Sequence, residues 1–161
     1  MIRLIAIPLF HAASAPSVYV TALKRGHAVY LMRRFFLEQF LENIEKFNCT
    51  DLTFVPPIAL AIVMSPLSKS RPYLKRTKSA VCGAAPLSKD LQIKIRSLME
   101  EGAPFTQVWG MTETCCIVTM FKYPEHDDTG SVGRLLPNME AKHVSSPSLQ
   151  FFVFRIPPNS C

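Results

Sequence analysis

Short apolar runs alternate with helix-patterned stretches from the first residues to about Phe121, and this alternation most restricts the fold. Residues 4–7 read as a buried strand ending at Pro8. Residues 17–25 follow as a helix with Gly26 as its stop, then 28–32 as a second apolar strand. Leu37, Phe40, Leu41 and Ile44 recur at the spacing of one helix face. Residues 51–55 form the next strand, and Pro57 suits the first turn of a helix reaching about Met64. A strand at 79–82 runs into a turn at Gly83. Ser88 then caps a helix whose apolar side is Leu91, Ile95 and Leu98, stopped near Gly102. Strands at 105–108 and 117–121 complete the series. Such a succession predicts an α/β fold, a doubly wound, mainly parallel sheet flanked by helices. Ligands of such sheets bind beyond the carboxyl ends of the strands. His11, residues 83–86 and residues 109–113 each follow a strand end, so they are expected to share one crevice.

With 161 residues, 48% hydrophobic and 19% charged, the chain suits one globular domain with a real core. The net charge is +6, and the densest basic stretch is residues 69–78, where Lys69, Arg71, Lys75 and Arg76 fall without a nucleic-acid motif. That stretch reads as a solvated loop, and no nucleic-acid partner is expected. The five cysteines show no zinc spacing, which points to a reduced intracellular protein, cytoplasmic or peroxisomal, although no targeting tripeptide closes the chain. No apolar stretch is long enough for a membrane span. A buried strand accounts for the apolar opening better than a signal peptide, because Pro8 and His11 interrupt it.

The segment Thr106-Gln-Val-Trp-Gly-Met-Thr-Glu113 carries the chemistry. It ends an apolar run, turns on Gly110, and offers a ring (Trp109), a hydroxyl (Thr112) and a carboxylate (Glu113) close together. These groups suit a nucleotide: the ring for a base, the hydroxyl for a phosphate oxygen, the carboxylate for phosphate-bound Mg²⁺. Read alone, the same residues equally describe a capped turn with a solvated carboxylate.

Other segments give this one its context. Pro8-Leu-Phe-His-Ala12, Phe54-Val-Pro-Pro-Ile58, Gly83-Ala-Ala-Pro-Leu87, Trp109-Gly-Met-Thr-Glu113 and Gly133-Arg-Leu-Leu-Pro-Asn138 fall in a fixed order. That ordered set resembles the adenylate-forming, AMP-dependent acyl-CoA synthetases, and among them the 4-coumarate–CoA ligase-like enzymes. The resemblance implies ATP-dependent activation of an aryl or aliphatic carboxylic acid through an acyl-adenylate to its thioester. ATP, Mg²⁺ and coenzyme A are the implied co-substrates and cofactor, and a small-molecule carboxylic acid the implied partner.

Roles follow residue by residue. The resemblance places Thr112 on a phosphate oxygen and Glu113 on Mg²⁺. It places Gly83, Ala84, Ala85 and Pro86 against the adenine or acyl group, with Trp109, Gly110 and Met111 beside the nucleotide. His11 stands at the acyl and thiol end, with Ala13, Ala84, Gln107, Val108 and Met120 lining the acid, Gln107 and Val108 also beside the nucleotide, and Arg34 near the phosphate of coenzyme A. Trp109 replaces the family's usual Tyr, and Val108 its usual Gly, which narrows the pocket. Ala13 lacks the phenol-binding hydroxyl of coumarate-type enzymes.

The family's phosphate loop, its ribose-binding Asp and its C-terminal catalytic Lys do not occur in this sequence. Weak or absent adenylation by this chain alone is therefore expected. Two further expectations accompany it, a complementing chain of unknown identity and, as the alternative, a non-catalytic nucleotide- or acyl-binding module. Residues 1–142 resemble part of the ligase domain, and 143–161 read as a divergent tail.

Overall fold

In each strand of the main sheet, alternate side chains meet opposite environments, and that difference shapes the whole chain. The computed structural model describes the backbone of residues 1–146 and 149–155, with side chains described up to Lys142. Strands β1 (Ile2–Ile5), β2 (Ala28–Leu31), β3 (Asp51–Phe54), β4 (Ser79–Cys82) and β5 (Phe105–Gln107) form a five-stranded sheet in the order β2-β1-β3-β4-β5. Every pairing in it is parallel. The order reverses between β1 and β3, the switch point of a doubly wound sheet. Right-handed crossovers then put the first helical connection on one face and the later helices on the other.

That first connection is wide-turned at Pro16–Thr21 and continues as α1 (Ala22–Arg25). Gly26 ends it in the left-handed region at φ 63°. The later helices are α2 (Leu37–Lys46), α3 (Pro56–Met64), α4 (Pro66–Ser70) and α5 (Lys89–Leu98). Pro56 and Pro57 occupy the first turn of α3, where a missing N–H costs nothing. Ser88 caps α5 by accepting the Leu91 N–H.

The core lies between the sheet and α2, α3 and α5. Leu4, Leu52, Phe54, Ala80, Cys82 and Phe105 point to it from the strands, and Phe40, Leu41, Ile44, Ile58, Ile62 and Ile95 from the helices. Phe40 packs edge-on to Phe54 at 6.3 Å and Phe54 to Phe105 at 5.7 Å between ring centroids. Burying each such side chain contributes about 1.5–3 kcal/mol. On α5 the fully buried apolar residue is Ile95, while Leu91 and Leu98 are half-buried flanks. The polar Gln92 takes the remaining buried position on that helix.

The chain then departs from the parallel pattern. β6 (Trp109–Met111), β7 (Cys116–Met120) and β8 (Arg134–Leu135) make a separate antiparallel sheet. The segment therefore does not turn on Gly110, as the sequence suggests; Gly110 lies within a strand and the turn is at Thr112–Thr114. The cause is steric. A Cβ on Gly110 would lie 1.7 Å from the Cys116 carbonyl oxygen, so only glycine allows the two strands to close at the Trp109/Gly110 bulge. β9 (Glu140–Ser146) pairs antiparallel with β10 (Leu149–Arg155), so the boundary expected after Lys142 falls inside a strand. Within the stretch read as a divergent tail, Leu149–Arg155 forms β10. Among the described residues no helix is long and apolar enough to cross a membrane.

A buried polar network joins β5, α5 and the loop between β7 and β8. The Gln107 amide accepts from Leu87 N–H (3.0 Å) and donates to Leu87 O (3.1 Å) and Gln92 Oε1 (3.0 Å). Gln92 in turn donates to Phe105 O (3.1 Å) and Asp127 O (2.7 Å). The Asp127 carboxylate accepts from Thr129 Oγ1 (2.7 Å) and from the backbone N–H groups of Gly130 (2.9 Å) and Ser131 (3.0 Å). Burial pushes the Asp127 carboxyl upward, but these donors together outweigh it and hold the group below its ordinary value.

Two outcomes follow for stability. Asp127→Asn is expected to cost about 1–3 kcal/mol at pH 7 by urea denaturation. Because the folded carboxyl is held low, its contribution is present above the unfolded value of about 3.9 and is lost as pH falls through the lower folded value. The gap between wild type and Asp127→Asn should accordingly narrow in acid. Gly110→Ala is expected to destabilise by at least about 3 kcal/mol, since the blocking atoms are backbone and cannot rotate away.

Candidate functional site

The sheet's second face carries the candidate site. Arg3, Asp51, Thr53, Ser79, Val81 and Thr106 alternate with the core residues and so point away from α2, α3 and α5. They floor a cleft of about 550 Å³ that continues over the carboxyl ends of the strands to the β6–β7 turn.

His11, Ala13, Gly83, Ala84, Val108, Gly110, Met111, Thr112, Glu113 and Met120 all line this one cleft. The loop after β1 brings in His11. Its Nδ1 accepts the Ala13 N–H at 3.1 Å, which requires a lone pair there and leaves Nε2–H as the ring's free donor. The loop after β4 brings in Ala84, an exposed alanine at φ 71°. A Cβ on Gly83 would meet Val108 Cγ2 at 2.9 Å, so this glycine is required by the packing of Val108. Thr112 and Glu113 begin the turn between β6 and β7, and both are exposed. Thr114 fastens that turn by donating its hydroxyl to Met111 O at 3.0 Å. Among the described residues no ion pair engages Glu113.

Other expected site residues lie elsewhere. Gln107 is expected on the acid wall, but its side chain is on the helix side of β5 and committed to Leu87 and Gln92. Period-two alternation from the buried Phe105 would have shown this. Trp109 is half-buried in β6 and does not line the cleft; neither do the exposed Ala85 and Pro86. Arg34 lies after β2 beside Arg33, over a separate depression of about 260 Å³ shared with Phe36, Gln39 and Asn43.

The structure adds cleft residues that motif reading missed. Arg3 and Asp51 form an ion pair in the floor. Lys122, just beyond β7, brings an exposed cation to the rim, and no ion pair among the described residues uses it. Cys116 also lines the cleft, where burial pushes its thiol up against the opposing hydrogen bond from Ile117. Cys82, on the core face, is pushed up to about 12 by burial. Both remain thiols near neutral pH, so neither acts as a ready nucleophile.

The arrangement is an apolar cleft with a hydroxyl, a carboxylate and an imidazole N–H at one end. Glu113 suits Mg²⁺, which binds through one or two carboxylates, phosphate oxygens and retained waters. Among the described residues no cluster of three or more His, Cys, Asp or Glu forms an all-protein metal cage.

Known proteins share both sequence and fold. An acyl-CoA synthetase of Alternaria alternata, ACTT5, is 45% identical over 155 residues, covering 96% of this chain and 27% of that protein. The phenylacetyl-CoA ligase epaB of Aspergillus niger is 51% identical over 145 residues, covering 89% of this chain and 27% of that one. The chain thus spans about a quarter of the length of these curated relatives. The crystal structure of a long-chain-fatty-acid-CoA ligase (FadD1) from Archaeoglobus fulgidus superposes with a TM-score of 0.81 at 25% identity, covering 96% of this chain and 34% of that one. The model of the family described as AMP-binding enzyme matches residues 2–151, which is nearly the whole chain, and with the cleft at the switch point of a doubly wound sheet this means that the chain belongs to the AMP-binding enzyme family.

Proposed function

We propose that this chain forms the central acyl-adenylate pocket of an acid–thiol ligase. The reaction is the ATP-dependent activation of a carboxylic acid, followed by transfer of the acyl group to the thiol of coenzyme A. In the first step the acid's carboxylate attacks the α-phosphorus of ATP, and the bond to the bridging oxygen breaks with release of pyrophosphate. In the second the thiol attacks the acyl carbon and AMP leaves. One observation carries this reading: a single cleft gathers His11, Ala84, Thr112 and Glu113 from three separate loops.

Each group has a task there. The Thr112 hydroxyl donates to a phosphate oxygen as charge develops on it. Glu113 would hold Mg²⁺, which supplies neutralisation of the phosphate charge. The turn at Gly83 and Ala84 offers a flat, small-residue surface to the adenine, and the exposed Ala85 and Pro86 extend it outside the cleft. The His11 Nε2–H donates to the acid's carboxylate oxygen and orients it. Val108 and Met120 form an apolar wall that excludes water from the mixed anhydride. Lys122 adds a cation on the side where phosphate charge would lie.

Calorimetric titration with a non-hydrolysable acyl-adenylate analogue tests the reading. Wild type should bind, and Thr112→Ala should weaken binding about tenfold, the effect of one hydrogen bond to a charged oxygen. Titration with a non-hydrolysable ATP analogue should tighten with added Mg²⁺ in wild type and lose most of that dependence in Glu113→Gln. Folded wild type that ignores both analogues would sink the reading.

A further inference from the structure

The cleft does not end at the loops; it runs back along the sheet to the amino ends of the strands, where its floor becomes charged. Register places Arg3 beside Asp51 and Asp51 beside Ser79 on neighbouring strands, all on the cleft face. Arg3 Nε donates to Asp51 Oδ1, and Ser79 Oγ donates to Asp51 Oδ2 at 2.7 Å. The pair is well shielded, with side-chain exposures of 15% for Arg3 and 13% for Asp51.

The guanidinium is underused. It carries five N–H groups in a planar fork. Nε is satisfied by Asp51, and Nη2 has only the Met1 thioether at 3.6 Å, a weak acceptor. Among the described residues nothing accepts from Nη1. These unused donors are open to a ligand and border an otherwise largely apolar cavity.

We propose that Arg3, held by Asp51, is a specificity-determining residue that donates to a neutral oxygen at the far end of an elongated acid. The inference rests on the acyl-adenylate reading of the cleft and names the acid it takes. Four residue steps along β1 and its continuation lead from Arg3 to Ile7 at the carboxyl end, about 13 Å at strand rise, the reach of an extended medium-chain acid. Asp51 already neutralises Arg3, so a ketone, ester or ether oxygen fits, while a second carboxylate would meet the Asp51 charge. The apolar stretch between the two ends accepts methylene or aryl groups.

The test uses three non-hydrolysable acyl-adenylate analogues, titrated calorimetrically. One has a decanoyl chain, one the same chain ending in a methyl ketone, one the same chain ending in a carboxylate. Wild type should bind the ketone about tenfold tighter than decanoyl and show no preference for the carboxylate. Arg3→Met should abolish the ketone preference while changing decanoyl binding by no more than about threefold. Since Arg3→Met strands Asp51, the double variant Arg3→Met/Asp51→Leu supplies an apolar replacement that keeps the fold, and it should show the same loss. Equal binding of ketone and decanoyl by wild type overturns the proposal, as does a ketone preference surviving in both variants. So does a preference for the carboxylate. If folded wild type binds none of the three, the acyl-adenylate reading falls and takes this one with it; decanoyl binding without ketone preference removes this one alone.

Discussion

A β-strand sends successive side chains to opposite faces, and in β1, β3, β4 and β5 that alternation separates a core from a cleft. Leu4, Leu52, Ala80 and Phe105 face helices and are buried, while Arg3, Asp51, Ser79 and Thr106 floor the cleft. A slip of one residue in β3 would put the Asp51 carboxylate into the aromatic core and Phe54 into the cleft. Burying an ionised group without its partner is far more costly than losing a few apolar contacts, so the charged floor fixes the register as firmly as the apolar core does. The position of the cleft is thus a consequence of the same packing that makes the fold stable.

Much of this was legible in the residues. The spacing of Leu37, Phe40, Leu41 and Ile44 marks a helix face, and α2 buries Phe40, Leu41 and Ile44. Gly26 as a stop and Ser88 as a cap are local chemistry, decided within a few residues. The parallel sheet followed from alternation, and the family from ordered motifs. What stayed hidden depends on contacts distant in sequence. Gly110 has the appearance of a turn residue because glycine favours turns, but its need comes from the Cys116 carbonyl across a bulge. Gln107 sits within the motif, yet its partners lie at Leu87 and Gln92. Asp127 belongs to an Asp-Asp-Thr-Gly run that any reader would place in a loop. Nothing local says that the loop is latched to α5 through Gln92.

The turn at Gly83 and Ala84 is a place where the fold works against local preference. Ala84 adopts φ 71°, a conformation that costs an alanine about 1 kcal/mol or more. Its neighbours hold it there. Gly83 N–H reaches Phe54 O at 3.3 Å on one side, and Leu87 is clasped at both backbone atoms by Gln107 on the other. With both ends anchored, the residues between must bend, and Ala84 is turned outward at the cleft. Gln107 therefore supports the site from behind: its amide shapes the turn whose surface the cleft presents.

The β6–β7 turn shows a comparable division of labour. Thr114 makes the fastening hydrogen bond to Met111, and Cys115 N–H closes on Thr112 O at 3.1 Å. Cys115 and Cys116 absorb the reversal at positive φ of 58° and 104°. Thr112 and Glu113 contribute backbone to the turn but no side-chain bond within it among the contacts described. Their hydroxyl and carboxylate are held in place by neighbours that carry the structural burden. A group required to hold a turn closed cannot also donate to a ligand without opening that turn. Separating the two duties along one short segment leaves Thr112 and Glu113 free to act on a ligand, and it lets either side chain be altered without taking the hairpin apart.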